Sequence, residues 1–288
     1  MSFVAGTVLL AVVTALACAV PGTFVVLRKN SMLVDAISHA VLPGIVVGYF
    51  FTRSLDSPLL IVGAALAGLL VVLGSEWLSE TGLLTGDAPQ GLIFPAMFSA
   101  GVILISMNFA NVHLDTHAVL VGDLNLAAWD QMTIAGTSVG PVHLYVMLAV
   151  LTINVAFLWL FYPTLKATTF DPQYAKSIGI RTRWVNTSFM FLVSVTVPAA
   201  FYAVGAILVV ALMVVPPATA YLVSSRLGTM IAVTAGIAAA GALAGFWVAY
   251  MTDAATSAGM AVFYGLVFMT VLAGTLMRRA QVSRRVAY

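Results

Sequence analysis

Apolar runs near the length of a membrane span alternate with short polar segments along the chain. Helical spans are predicted at about 3–27, 34–51, 58–78, 91–110, 142–162, 185–203, 204–224, 229–250 and 257–277. A helix rises ~1.5 Å per residue, so about 20 residues cross the ~30 Å hydrocarbon layer. The pattern predicts an all-α integral membrane protein of about eight or nine spans, a single domain covering 1–288. Two places carry weaker signals. The sixth and seventh spans, the pair around Val197-Pro198-Ala199-Ala200, are separated by almost nothing, and Pro21-Gly22 interrupts the first. The first run, Phe3 to Leu27, has no basic residue before it and is longer than a signal-peptide core, so it reads as a retained span.

Composition agrees with the pattern. Hydrophobic residues make up 62% and charged residues 8%, and mean hydropathy is +1.08, far above a soluble domain, so membrane lipid is the surrounding solvent. A net charge of +2 from scattered basic residues excludes a nucleic-acid surface. The one cysteine, Cys18, lies in an apolar run; no disulfide can form within the chain. Charge sets the orientation, because cytoplasmic loops carry the Lys and Arg excess. Placing Lys166 to Arg183 inside brings eleven of the twelve basic residues to the cytoplasm and leaves only Arg53 outside. The N-terminus is then outside, the C-terminus is cytoplasmic, and the segment from Asn111 to Pro141 lies on the outer face.

Against this apolar background Asp35 and His39 stand out, at i and i+4 within the second span. Side chains at that spacing share one helix face. An ionisable group at the centre of a span costs roughly 2.5–3.5 kcal/mol on insertion scales, so it requires a partner, a pathway or an ion. With a helix starting near Ser31, Asp35 lies about 6 Å and His39 about 12 Å into the layer. Pro43, one turn on, frees the carbonyl of His39 as a further oxygen ligand. The spacing fits a structural Asp–His contact, a proton relay or a transient metal site. Carboxylate plus imidazole without thiolate suits Zn, Mn or Fe.

Other polar groups are candidates of lower rank. His113, Asp115 and His117 follow at two-residue steps in the outer segment, with Asp123 and Asp130 beyond, and they could collect a divalent cation or simply belong to a solvated loop. Asp253 and Ser257 read as loop. Between the fifth and sixth spans, Asp171 can cap a helix whose first residue is Pro172, giving a short cytoplasmic helix that could receive a soluble partner. No Gly-x-x-x-x-Gly-Lys-Ser/Thr segment occurs, so ATP-driven work would fall to another subunit. A His-Glu-x-x-His protease helix is also missing, and no inverted repeat of a secondary transporter is evident.

The stretch Leu27-Arg-Lys-Asn-Ser-Met-Leu-Val-Asp35-Ala-Ile-Ser38-His39-Ala-Val-Leu-Pro43-Gly44 resembles the signature of membrane permeases from zinc and manganese ABC importers. Further matches are Phe170-Asp171-Pro172 with Ala175 and Gly179, Val204-Gly205 through Val215-Pro216 with Ala218-Thr219-Ala220, and Gly122-Asp123 after His117. Val34 stands where the family usually has Gly, and Gln173 where it has Glu. The resemblance implies a helical permease of the type II ABC importer kind, paired with a second permease copy. It also implies a cytoplasmic ATP-binding subunit, an extracytoplasmic metal-binding protein, and zinc or manganese as cargo with no permanent cofactor. It assigns Asp35 and His39 to the metal site. The segments at about 164–184 and 224–229, with Phe170, Asp171, Pro172 and Arg226, would face the ATPase, and His113, His117 and Asp123 would lie along the ion's path. A proton-coupled secondary metal transporter is the alternative.

Overall fold

The computed structural model describes residues 3–53, 57, 59–108, 124–134 and 137–286. The helices are α1 (Phe3–Leu27), α2 (Ser31–Thr52), α3 (Leu59–Glu80), α4 (Ala88–Asn108), α5 (Leu124–Trp129), α6 (Val142–Leu160), α7 (Tyr162–Phe170), α8 (Pro172–Ser177), α9 (Thr182–Val223), α10 (Leu227–Met251) and α11 (Thr256–Val286). The predicted outer segment also holds a small antiparallel hairpin, β1 (Gln131–Ile134) with β2 (Thr137–Pro141). This hairpin adds to the all-helical expectation; β-branched Thr, Ile and Val in that short run favour extended pairing over another helix.

Seven helices among the described residues are long and apolar enough to span a membrane, and α4 contributes a shorter apolar stretch, Ala88–Leu104. One of the seven, α9, counts twice. Its 42 residues would extend ~63 Å as a straight helix. Both of its ends nevertheless lie beside the nine-residue α7. Asn186 near its start shares Arg28 with Thr168 and Thr169, while Ser225 and Arg226 just past its end line a cleft with Tyr162, Lys166 and Phe170. The chain must therefore reverse within α9, and the one non-helical residue there is Gly205, at φ 76° and ψ 169°. Two spans occur as expected, and the division falls at Gly205, next to the predicted boundary at 203/204 and beyond the Val197 to Ala200 segment where the signal was weakest. Pro198 keeps a helical φ and is absorbed, whereas a positive φ of this kind is open essentially to glycine.

The two halves of α9 form the buried centre, with α1 packed along them and α2, α3, α10 and α11 around. Pro21 is accommodated inside α1, and Gly22 lies so close to the Met213 backbone that a side chain would not fit. Several polar groups inside the bundle are paired across helices, as a medium without water favours. Asn154 Nδ2 donates to the Ala17 carbonyl (2.9 Å) and to Thr196 (3.1 Å), joining α6, α1 and α9. Tyr264 donates to the Ala238 carbonyl at 2.5 Å, joining α11 to α10. The opposite face of α11 leaves Val262, Leu266 and Met269 exposed at helical spacing, a surface suited to lipid.

Contact between α2 and α3 is nearly backbone to backbone. A Cβ on Gly44 would sit 2.5 Å from the Gly63 oxygen and the Ala64 Cα, and one on Gly48 would sit 3.0 Å from the Leu59 oxygen. Small residues at such a crossing let two helices pack as one rigid unit. Replacing Gly44 with Leu is expected to force this pair apart and destabilise the fold by about 1–3 kcal/mol. Thermal unfolding in detergent should show a lowered midpoint, while Gly91→Ala, which lies inside a helix and meets nothing within 4 Å, should not lower it.

Candidate metal site

Ser31 opens α2, and the next turns bury Leu33, Val34, Ala36, Ile37, Ser38 and Ala40 against the bundle. The remaining stripe, Met32, Asp35, His39 and Leu42, is only partly covered. Ser38 satisfies its hydroxyl on the Val34 carbonyl at 3.0 Å and so stays out of the site. Asp35 Oδ1 and His39 Nε2 are 3.7 Å apart, and the side chains of His39 and Asp35 are 30% and 43% exposed. This separation is too long for a hydrogen bond. It suits a shared ion better: two ligand atoms each about 2.1 Å from a tetrahedral metal stand about 3.4 Å apart. The exposure shows that the pair is not sealed against its own chain.

A second element fixes the imidazole. Phe94 and Phe98, one turn apart on α4, lie against the His39 ring with centroids at 4.7 and 6.2 Å. The same α4 face continues to Gly101, where a Cβ would come within 2.7 Å of Pro43, so α4 is pressed onto α2 beside the site. Among the described residues no third His, Cys, Asp or Glu joins the pair.

At the end of the molecule where the basic residues gather, an open cleft of about 490 Å³ is lined by Tyr162, Lys166 and Phe170 of α7 and by Ser225 to Thr229. Next to it Asp171 turns the chain from α7 into α8: its Oδ1 accepts from the Tyr174 amide at 2.9 Å, and Pro172 occupies the first helical position. Phe170, Tyr174 and Ile178 leave more than half of their surface exposed around this corner. Arg28, between α1 and α2, donates to Thr169 Oγ1, Thr168 Oγ1 and Asn186 Oδ1, each at 3.0 Å, and lies over the Phe189 ring. Asn186 in turn donates to Glu76 of α3 at 2.9 Å. Burial pushes the Arg28 guanidinium down to about 10, so it remains charged at neutral pH.

Residues 1–275 match the ABC 3 transport family. The chain belongs to that family. It is 44% identical over 264 residues to the zinc transport system membrane protein TroD of Treponema pallidum, covering 92% of this chain and 72% of that protein. To the manganese transport system membrane protein MntD of Bacillus subtilis it is 38% identical over 268 residues, covering 93% and 90%. Among solved structures it is similar to PsaBC from Streptococcus pneumoniae in complex with Fab, with a TM-score of 0.77, 25% identity, and 94% and 91% of the two chains covered.

Within this ABC 3 family chain, the structure brings Asp35 to His39 and Phe170 to Arg226, and it places Asp171 and Pro172 at a helix start. His113, His117 and Asp123 lie outside the described residues. His143, near the start of α6, is buried, with its Nε2 donating to the Ala199 carbonyl at 2.8 Å and its ring against Tyr202. It is thereby committed to joining α6 with α9. Phe94 and Phe98 had no signal in the sequence beyond an aromatic i, i+4 pair. Removing the cap with Asp171→Ala should free the first turn of α8, seen as roughly fivefold faster hydrogen exchange at the Tyr174 amide.

Proposed function

We propose that this chain is the membrane permease subunit of an ATP-driven importer of a divalent transition metal, zinc or manganese with iron inside the same ligand chemistry, and that Asp35 and His39 hold the ion in transit. The observation that carries this reading is the pair itself: a carboxylate and an imidazole 3.7 Å apart on a partly uncovered stripe of a membrane helix. The naming of similar proteins as zinc and manganese transport system membrane proteins supports it. Zinc or manganese needs more than two ligands. A second permease copy facing the same stripe would bring another Asp35 and His39, which makes four. A homodimer would thus complete the pair, and it would remove the cost of leaving a charge against hydrocarbon.

The basic end is assigned to the cytoplasm by the positive-inside rule, with the N-terminus outside and the membrane a bacterial or archaeal cytoplasmic membrane. There the cleft between α7 and residues 225–229, with Phe170, Asp171, Pro172 and Arg226, receives the ATP-binding subunit. On the other face an extracytoplasmic metal-binding protein delivers the ion, and His113, His117 and Asp123 lie along its path. Movement of the paired subunits opens the site inward, and the chain itself makes and breaks no covalent bond.

Asp35→Ala and His39→Ala are each expected to abolish metal accumulation in cells while the variants still assemble with the ATPase. Native import by both would remove the site assignment. In liposomes, uptake of Zn²⁺ or Mn²⁺ should require the ATP-binding subunit and ATP; uptake driven by a pH gradient alone would instead identify a proton-coupled secondary transporter.

A further inference from the structure

Arg28 sits where four elements meet. Its guanidinium reaches two hydroxyls of α7 and the Asn186 amide of α9, and through Asn186 it reaches Glu76 of α3. These partners are more than a hundred residues away in sequence, apart from Glu76 at 48 positions. Thr168 and Thr169 are the last residues of α7 before Phe170, the corner that faces the cleft. On its other side Arg28 is joined to α2 by only Lys29 and Asn30. Lys29 is fixed at φ 59° and the Asn30 amide nitrogen bonds the Val25 carbonyl at 3.0 Å, so this link is a stiff turn. Asp35 and His39 follow one and two turns into the helix that starts there.

We propose that Arg28 is the positioning residue that ties α7 to the base of α2, so that displacement of the cleft-facing helices is delivered to Asp35 and His39. This rests on the reading of those two residues as the transport site and of the cleft as the ATPase contact. A guanidinium is suited to the task. Its rigid planar fork holds three acceptors in fixed directions across its width, whereas an ammonium is a compact charge whose three donors rotate. Glu76 balances the charge through an amide, and the cation stays directed at the α7 hydroxyls. Because α3 moves with α2 across the Gly44–Gly63 contact, the Asn186–Glu76 branch carries the same displacement to the far side of α2.

The test is made on the permease reconstituted with its ATP-binding subunit and binding protein, reading Mn²⁺ or Zn²⁺ imported per ATP hydrolysed. The Thr168→Val/Thr169→Val variant keeps the shape of both side chains and removes both acceptors, whereas Thr168→Ser/Thr169→Ser keeps the acceptors and loses two methyl groups. Metal imported per ATP should fall about tenfold in the valine variant and remain within about twofold of native in the serine variant, in line with coupling energies of ordinary size. Arg28→Lys should behave like the valine variant. A native ratio in the valine variant overturns the proposal, and so does an equal fall in both threonine variants, which would mark a packing role. Equilibrium metal binding should stay native in all three; metal binding and import that persist in Asp35→Ala would instead remove the underlying site reading and leave the measured ratio to stand alone.

Discussion

A polar or ionisable side chain inside a hydrocarbon layer has few stable outcomes, and the organisation of this protein follows from how each is met. Asn154, His143 and Tyr264 are satisfied by carbonyls and hydroxyls of neighbouring helices, so they serve as cross-links. Asp35 and His39 are treated differently. They share a face, they stand too far apart to satisfy each other by a hydrogen bond, and the chain leaves them partly open. A protein that placed them there only for cohesion would have closed the gap. Left as they are, the two groups have no further titratable partner among the described residues, and under the proposed function a divalent cation shared with a second copy would meet both the charge and the coordination number.

Packing determines how such a site can move. Gly44, Gly48 and Gly63 bring α2 and α3 into backbone contact, and Gly101 brings α4 against Pro43, so the helix bearing the pair is held on two sides. Helices packed this closely shift together or not at all. Phe94 and Phe98 belong to the same body and keep the imidazole oriented during the shift. The reversal at Gly205 serves a different end: it returns both termini of α9 to the basic face, where Asn186 and Arg226 can meet α7.

Local signals were legible in the sequence and distant ones were not. Hydropathy located the spans because a bilayer imposes length and apolarity on each of them independently. The i, i+4 spacing of Asp35 and His39 and the Asp171-Pro172 helix start needed only helix geometry. The division of α9 was legible at 203/204 from span length, since each crossing takes about 20 residues; the residue that makes it was not, because Pro198 is conspicuous yet its φ is helical, while the decisive backbone angle belongs to a glycine in an apolar run. Arg28 looked like one more cytoplasmic charge. Its role depends on residues about 140 and 158 positions away, and no periodicity encodes that. The partners of His39 on α4 were hidden for the same reason.

A transport site must also let go. Four ligands on one rigid body would hold an ion with a single affinity, whereas two ligands on each of two bodies make affinity depend on their separation. Metal–ligand bonds of about 2.1 Å fail when the atoms retreat by a comparable distance, so a small rotation suffices to halve the coordination shell. Since α2 cannot flex alone against α3 and α4, the rotation has to be applied to the whole body, and it is applied most effectively at an end. The accessible end is the base of α2, where three residues connect it to α1 and a charged side chain connects it to the cleft.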